Sequence, residues 1–279
     1  MAAGLFKPVF MAAAAMALMP GPAESQAVPA AAPSYADLAD LALAAPVAAH
    51  VRLKRAVPLK PGKAGAAAPG RTRFFVEAEV LSLIRGAEGS PAAVSYLADI
   101  PDAPNGKPAK LQKKSEYIVL ASGVPGREGE LRLVAPDAQL PFTPERAAQL
   151  RSILGEASAP SAAPAVTGIG RAFHVPGSLA GESETQIFVQ TAGGDPVSLT
   201  VLRRPGQTPT WAVALGDIVD DAASEPKPNS LLWYRLACGL PRALPPQSLV
   251  DAAPEHVPAI EADYRLILER LGPCARSRR

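Results

Sequence analysis

Arg73-Phe-Phe-Val-Glu-Ala-Glu-Val-Leu-Ser-Leu-Ile84 is the stretch on which the fold turns. Phe75, Val80 and Leu81 change sides around Glu77 and Ala78 in a long, β-prone run, and Gly86-Ala-Glu-Gly89 closes it as a turn. Alternation with a period of two predicts a strand with one face on a core. Working outward, residues 47–57, 94–100, 117–121 and 131–134 read as further strands. Between them lie a Gly/Ala/Lys segment at 58–71, a loop at 101–110 marked by Asn105-Gly106, and a Gly/Pro turn at 123–129.

A helix is expected on each side of this strand set. Ser34 with Asp37 three residues on makes a capping-box start, Leu38, Leu41 and Ala45 fall on one face, and Pro46 stops the run. Thr143-Pro144-Glu145 begins the second helix, with Thr as N-cap and Pro at the first helical position, and Leu150, Ile153 and Leu154 on its buried side. Five strands between two helices predict a small closed or half-closed barrel over residues 34–155.

Residues 156–164 are rich in Ala, Ser and Pro and read as a linker to a second module, 165–279. Here strands at 171–175, 185–191, 197–203 and 211–219 are separated by Pro176-Gly177, Gly193-Gly-Asp-Pro196 and Pro205-Gly206, the grammar of an antiparallel meander. Asn229 or Ser230 can cap a helix through Cys238 that stops at Gly239. Residues 258–271 form a last amphipathic helix, with Ile260, Tyr264, Ile267, Leu268 and Leu271 on one side and Gly272-Pro273 as its end. The expected class is α+β, mostly β: an OB-like barrel followed by an antiparallel β-meander with C-terminal helices.

The first residues carry an address. Lys7 precedes an apolar stretch over residues 9–19, which Pro20-Gly-Pro22 breaks before the small residues Ser25-Gln-Ala27. These are the parts of a cleavable secretory signal. Its apolar stretch is shorter than the ~20 residues a membrane-spanning helix needs. Cleavage is expected after Ala27, with Ala30 and Ala32 as alternatives. Residues 35–51 are apolar but interrupted by Asp37, Asp40 and Pro46, so no transmembrane anchor is expected, and no Cys follows the signal to take a lipid. The product is expected to be periplasmic or secreted.

Charge excludes some partners. Lys and Arg number 28 against 26 Asp and Glu, a net charge of +2, which gives no pull towards nucleic acid. The cysteines, Cys238 and Cys274, suit one disulfide in an oxidising compartment, tying the ends of the last two helices together; the alternative is two unrelated thiols.

Two resemblances accompany these readings. Residues 73–86 and 115–122 resemble the OB-type barrel of netrin-like modules over about a third of the chain, without the cysteines that pin such modules, and the resemblance implies a fold only. Ala172-Phe-His-Val-Pro-Gly177, Gly181-Glu-Ser-Glu-Thr-Gln186 and Leu232-Trp-Tyr-Arg-Leu-Ala-Cys238 resemble uncharacterised exported proteobacterial proteins, which implies a compartment and no chemistry.

No motif commits the chain to catalysis. His50, His174 and His256 have no zinc-type spacing. His174, beside a Pro-Gly turn, is the candidate for a hydrolytic site with Ser178, Ser183 or Asp217, though no G-x-S-x-G elbow places a nucleophile; a structural or surface histidine is the simpler reading. Ser224-Glu-Pro-Lys227 matches S-x-x-K, but Pro226 and Pro228 forbid the helix that pattern needs, and Gly168-Ile-Gly170 lacks the third glycine of a dinucleotide loop. Glu182 and Glu184 read as a polar hairpin edge, and Asp217, Asp220 and Asp221 as a solvated acidic turn without EF-hand spacing. Trp211, Trp233 and Tyr234 would suit a glycan or peptide site on an exposed face, but their strand and helix contexts point to core packing. Arg203-Arg204 and Arg235 are candidates to line a groove, though a basic pair beside a turn is usually solvated, as the basic tail Arg276, Arg278 and Arg279 is expected to be. No metal or cofactor is implied. Two functions of different class remain: a non-enzymatic envelope protein that binds another envelope component, an unknown protein or ligand, or a hydrolase of unfamiliar type using His174.

Overall fold

The computed structural model describes residues 1, 32–60, 62, 65–86, 91–195, 197–216 and 224–278. The stretch expected to be a secretory signal lies, apart from Met1, outside the described residues, together with the expected cut positions Ala27 and Ala30 and with Asp217, Asp220 and Asp221.

A ten-residue helix, α1 (Tyr35–Ala44), opens the described chain. Its start is the expected capping box: the Ser34 hydroxyl accepts from the Asp37 N–H, and the Asp37 carboxylate accepts from the Ser34 N–H at 2.9 Å. Five strands follow and close on themselves: β1 (Val47–Pro58), β2 (Arg71–Arg85), β3 (Ala93–Pro101), β4 (Glu116–Val124) and β5 (Arg127–Leu133). Their order around the barrel is β1-β2-β3-β5-β4 and back to β1, compatible with an OB-like barrel. Neighbours pair antiparallel except β3 and β5, which run parallel and meet in register at Ser95 and Glu130. A short strand, β6 (Gln139–Pro141), adds to the outer edge of β4; nothing in its three residues announces a strand.

Alternation sets which side chains fill the barrel. Along β2 the buried residues are Phe74, Val76 and Ala78, so Phe75 and Glu77 belong to the opposite face. They meet Ala49, Val51 and Leu53 of β1, Val94, Tyr96 and Ala98 of β3, and Val119 and Ala121 of β4 in the barrel interior. The Tyr96 hydroxyl, buried there, donates to Gln139 Oε1 at 2.8 Å. Strand β4 is buried on both faces, which explains its unbroken apolar run. Val119 and Ala121 point inward, while Ile118 and Leu120 pack outward under the helices. Leu120 is fully buried, and truncating it to Ala would cost about 2–5 kcal/mol.

That outer core is built from α1, from α2 (Pro144–Ser158) and from α3 (Leu231–Gly239). Thr143 caps α2 by accepting from the Arg146 N–H at 3.1 Å. The helix runs to Ser158, a turn into the stretch whose composition reads as linker: the Glu156 carboxylate accepts from the Leu231 N–H at 2.7 Å and so also caps α3.

The second sheet is an antiparallel meander of β7 (Val166–Pro176), β8 (Ser183–Thr191), β9 (Val197–Arg203) and β10 (Thr210–Leu215). One face carries Ile169, Ala172, Ile187, Val189, Leu199, Val201, Trp211 and Val213 against α3 and α4 (Val257–Leu271). Two short 3₁₀ turns, Pro246–Leu249 and Pro254–His256, connect those helices. Helix α3 serves both cores, with Leu231 and Tyr234 in the outer core of the barrel and Leu236 in the core of the meander. Residues Ala31–Arg279 cluster as one compact unit. Among the described residues no helix is long and apolar enough to cross a membrane.

Cys238, in the last turn of α3, is bonded to Cys274, three residues past α4, with Cα atoms 5.0 Å apart. The tail beyond it is not a free basic segment. Arg276 pairs with Asp40 at 2.6 Å, Arg278 pairs with Asp137, and the Ser277 and Arg278 N–H groups both donate to Asp37 at 3.0 Å. Residues 276–278 thus hold α1 in place.

Candidate functional site

Two regions of the molecule offer more than packing. The first is one mouth of the barrel, where β1, β3 and β5 begin and β2 and β4 end. Val47, Ala49, Val80, Leu83, Val94 and Leu131 line an open cavity of about 470 Å³ there. The β4–β5 hairpin forms its rim, with Arg127, Glu128 and Glu130; Arg127 and Glu130 pair at 3.1 Å in a solvent-exposed contact that contributes little. Gly129 lets the hairpin lie close over β3: its φ is +76°, and a Cβ there would sit 3.1 Å from the Ala93 carbonyl oxygen. The lining is mostly apolar, and Leu83 stays 38% exposed at the edge. A second cleft of similar size opens where β3 and β5 part beyond Ser95; it is more polar, and the Arg73–Asp99 ion pair at 2.6 Å lies along it.

The second region lies between the meander and α4. His174 Nδ1 is 2.8 Å from the Thr185 hydroxyl, and that hydroxyl is 2.5 Å from Asp263 Oδ2. The other carboxylate oxygen, Oδ1, accepts from Arg203 Nε at 2.7 Å. The pairing register explains the assembly, because His174 of β7 sits opposite Thr185 of β8, and α4 lays Asp263 over both. Thr185 and Asp263 are fully buried. A carboxylate paired with Arg203 only accepts, so the Thr185 proton goes to Asp263 and the Thr185 oxygen accepts the Nδ1 proton of His174. His174 is therefore the Nε2 base tautomer. Burial, then the neighbouring His256 ring, holds its pKa below the usual imidazole value. The ring centres of His174 and His256 are 5.2 Å apart.

This polarity bears on chemistry. A serine-type nucleophile gives its proton to histidine; here the hydroxyl on His174 gives its proton to the carboxylate instead, and Thr185 has no access to solvent. The hydroxyl bonded to His174 belongs to Thr185 and not to Ser183, two residues earlier on β8. Asp263, the acid of this chain, carried no signal in the sequence, where it is one more polar residue in an amphipathic helix. Glu182 closes the β7–β8 turn, its Oε2 accepting from the Leu179 N–H at 3.3 Å and its carbonyl from the Gly177 N–H. Arg203, partly exposed, pairs with Asp263.

The remaining candidates fall elsewhere. His50 lies on the barrel wall, stacked on Phe142 with ring centres 3.7 Å apart, its Nε2 2.9 Å from Glu116. Ser224 forms an isolated bridge to Val213, and Gly168 and Gly170 sit within β7. Trp211 is buried in the meander core, Trp233 donates its indole N–H to the Leu271 carbonyl at 2.7 Å, and the Tyr234 hydroxyl bonds Asp40. Among the described residues no group of three or more His, Cys, Asp or Glu side chains is placed to hold a metal ion. Compared with known proteins, the chain matches no family model and no curated protein sequence.

Proposed function

We propose that this chain is an exported, non-enzymatic protein of the periplasm or the extracellular space, and that its barrel mouth binds the apolar part of another envelope component. The observation that carries the reading is the cavity between Val47, Val80, Leu83, Val94 and Leu131. Its ~470 Å³ falls within the range of small-ligand pockets, and apolar walls with a few polar groups at the rim are what such sites share. Export is supported by the basic, apolar and small-residue order of residues 1–27 and by the Cys238–Cys274 bridge, which suits an oxidising compartment. The strand order is compatible with an OB-like barrel, an architecture that carries binding sites on its faces and loops in other proteins. The hydrolase reading loses ground to the direction of the His174–Thr185–Asp263 chain, whose hydroxyl is buried and already committed to a carboxylate.

The experiment is a paired capture from envelope extract. Oxidised chain lacking residues 1–27 and its Leu83→Glu variant are immobilised side by side, and what each retains is identified by mass spectrometry, including lipids. Leu83 is partly exposed, so the charge reaches the mouth without entering the core. A component held by the wild type and lost from the variant supports the proposal. Equal retention by both, or none by either after cross-linking, overturns it.

A further inference from the structure

We propose that His174 and His256 form an open site for a borderline transition-metal dication of the copper or zinc type, with water or a donor group of a bound molecule completing its coordination. The two rings approach from different elements, His174 from β7 and His256 from the 3₁₀ turn that leads into α4. Their centres are 5.2 Å apart with planes inclined at 58°. Two imidazoles that share one four-coordinate ion at ~2.0–2.1 Å per Zn–N bond place their ring centres roughly 5 Å apart. Spacing and donor type therefore agree.

The support behind His174 argues for the same chemistry. Metal-bound histidines hand their other ring N–H to an oxygen acceptor (a carboxylate, a backbone carbonyl or water), which fixes the tautomer and raises the basicity of the ligating nitrogen. His174 does this through Thr185 to Asp263, and Arg203 holds Asp263 from its other oxygen. Thr185 and Asp263 are fully buried, whereas both imidazoles are only partly so. The anchor is rigid and the donors are within reach of solvent. Nδ1 is committed to Thr185, so Nε2 carries the free lone pair that ligation requires.

Imidazole nitrogen selects zinc, copper or nickel over calcium or magnesium, and copper(II) binds such sites most tightly. Both cysteines are consumed in the disulfide, so no thiolate competes. With two protein donors the ion is exchangeable, and water or a donor group of a bound molecule fills its other positions. This site is built from the meander and α4 and does not depend on the barrel mouth.

The test is a titration of the tag-free, oxidised chain with copper(II) against glycine as competitor, and with zinc(II), by calorimetry, followed by electron paramagnetic resonance of the copper form. One saturable ion per chain with imidazole nitrogen coupling is expected. His256→Ala, a change at a half-exposed helix start, and His174→Ala should each weaken binding by at least about 10-fold. Thr185→Val leaves both imidazoles in place and should still weaken it about 10–100-fold, while His50→Ala leaves it unchanged. Absence of saturable one-to-one binding, or full affinity in a folded His256→Ala chain, overturns the assignment. Full affinity in Thr185→Val would likewise overturn the role given to the buried anchor.

Discussion

Replacing Asp37 with Ala should cost considerably more than the loss of a helix cap alone. Its carboxylate accepts from the Ser34 N–H and hydroxyl at 2.9 Å each, from the Ser277 N–H at 3.0 Å and hydroxyl at 2.5 Å, and from the Arg278 N–H at 3.0 Å. Asp37 is only 1% exposed. Hydrogen bonds to a charged group contribute roughly 1.5–3 kcal/mol each. The capping interaction alone contributes ~1 kcal/mol, and the tail donors regain water once residues 276–278 lift away. The expected loss is therefore about 3–4 kcal/mol, or a fall of about 10 °C in Tm for a chain of this size. Removing residues 277–279 takes away the tail donors first, so Asp37→Ala in that background should cost only the ~1 kcal/mol of the cap. The coupling between the two changes is then about 2 kcal/mol in urea denaturation at neutral pH. Additive effects, or a loss below ~1 kcal/mol for Asp37→Ala alone, would refute the reasoning. The pH dependence has a definite sign. Burial opposes ionisation of Asp37, but hydrogen bonds from Ser277, Arg278 and Ser34 outweigh it and hold the carboxyl well below the usual range. The contribution is complete above the unfolded value of about 4 and is lost as pH falls below it towards the folded pKa.

The Cys238–Cys274 bridge closes a loop over a sequence separation of 36, which corresponds to about 4 kcal/mol of lost chain entropy in the unfolded state. Urea melts with and without reductant should differ by that order, and a difference under ~1 kcal/mol would show that α3 and α4 hold each other without it. His174 should make stability depend on pH. Burial and then His256 lower its folded pKa, with Arg203 acting in the same sense and Asp263 opposing. The unfolded chain therefore binds the proton more readily, and stability falls as pH drops from about 6.5 towards the folded value. His174→Gln should flatten the urea midpoint between pH 7.5 and 5.5, and an unchanged slope would assign that dependence to another group.

How much of this was legible in the sequence depends on the distance between the partners. Ser34 with Asp37 and Thr143 with Pro144 are contacts within one turn, and both helix starts form where the residues place them. The strands of the barrel and meander are legible because alternation and turn chemistry are local. Inward facing is less so: Phe74 and Phe75 are adjacent and equally apolar, and only pairing with β1 and β3 turns Phe74 to the interior. Strand β6 escapes because three residues carry no period, and the tail of α2 escapes because Glu156 is stabilised by Leu231, 75 residues away. The site residues show the limit most clearly. His174 and Thr185 are joined by a hairpin, 11 residues apart, but their acid comes from α4, 78 residues beyond Thr185. Nothing near Asp263 distinguishes it from the other carboxylates of that helix until the meander lies beneath it. The same holds for Asp37, which meets Ser277 across 240 residues. A carboxylate's role in this chain is set by which donors the fold delivers to it, so the cap at Ser34 is readable in the sequence, whereas the clamp on residues 276–278 and the anchor behind His174 exist only once α1, α3 and α4 have packed.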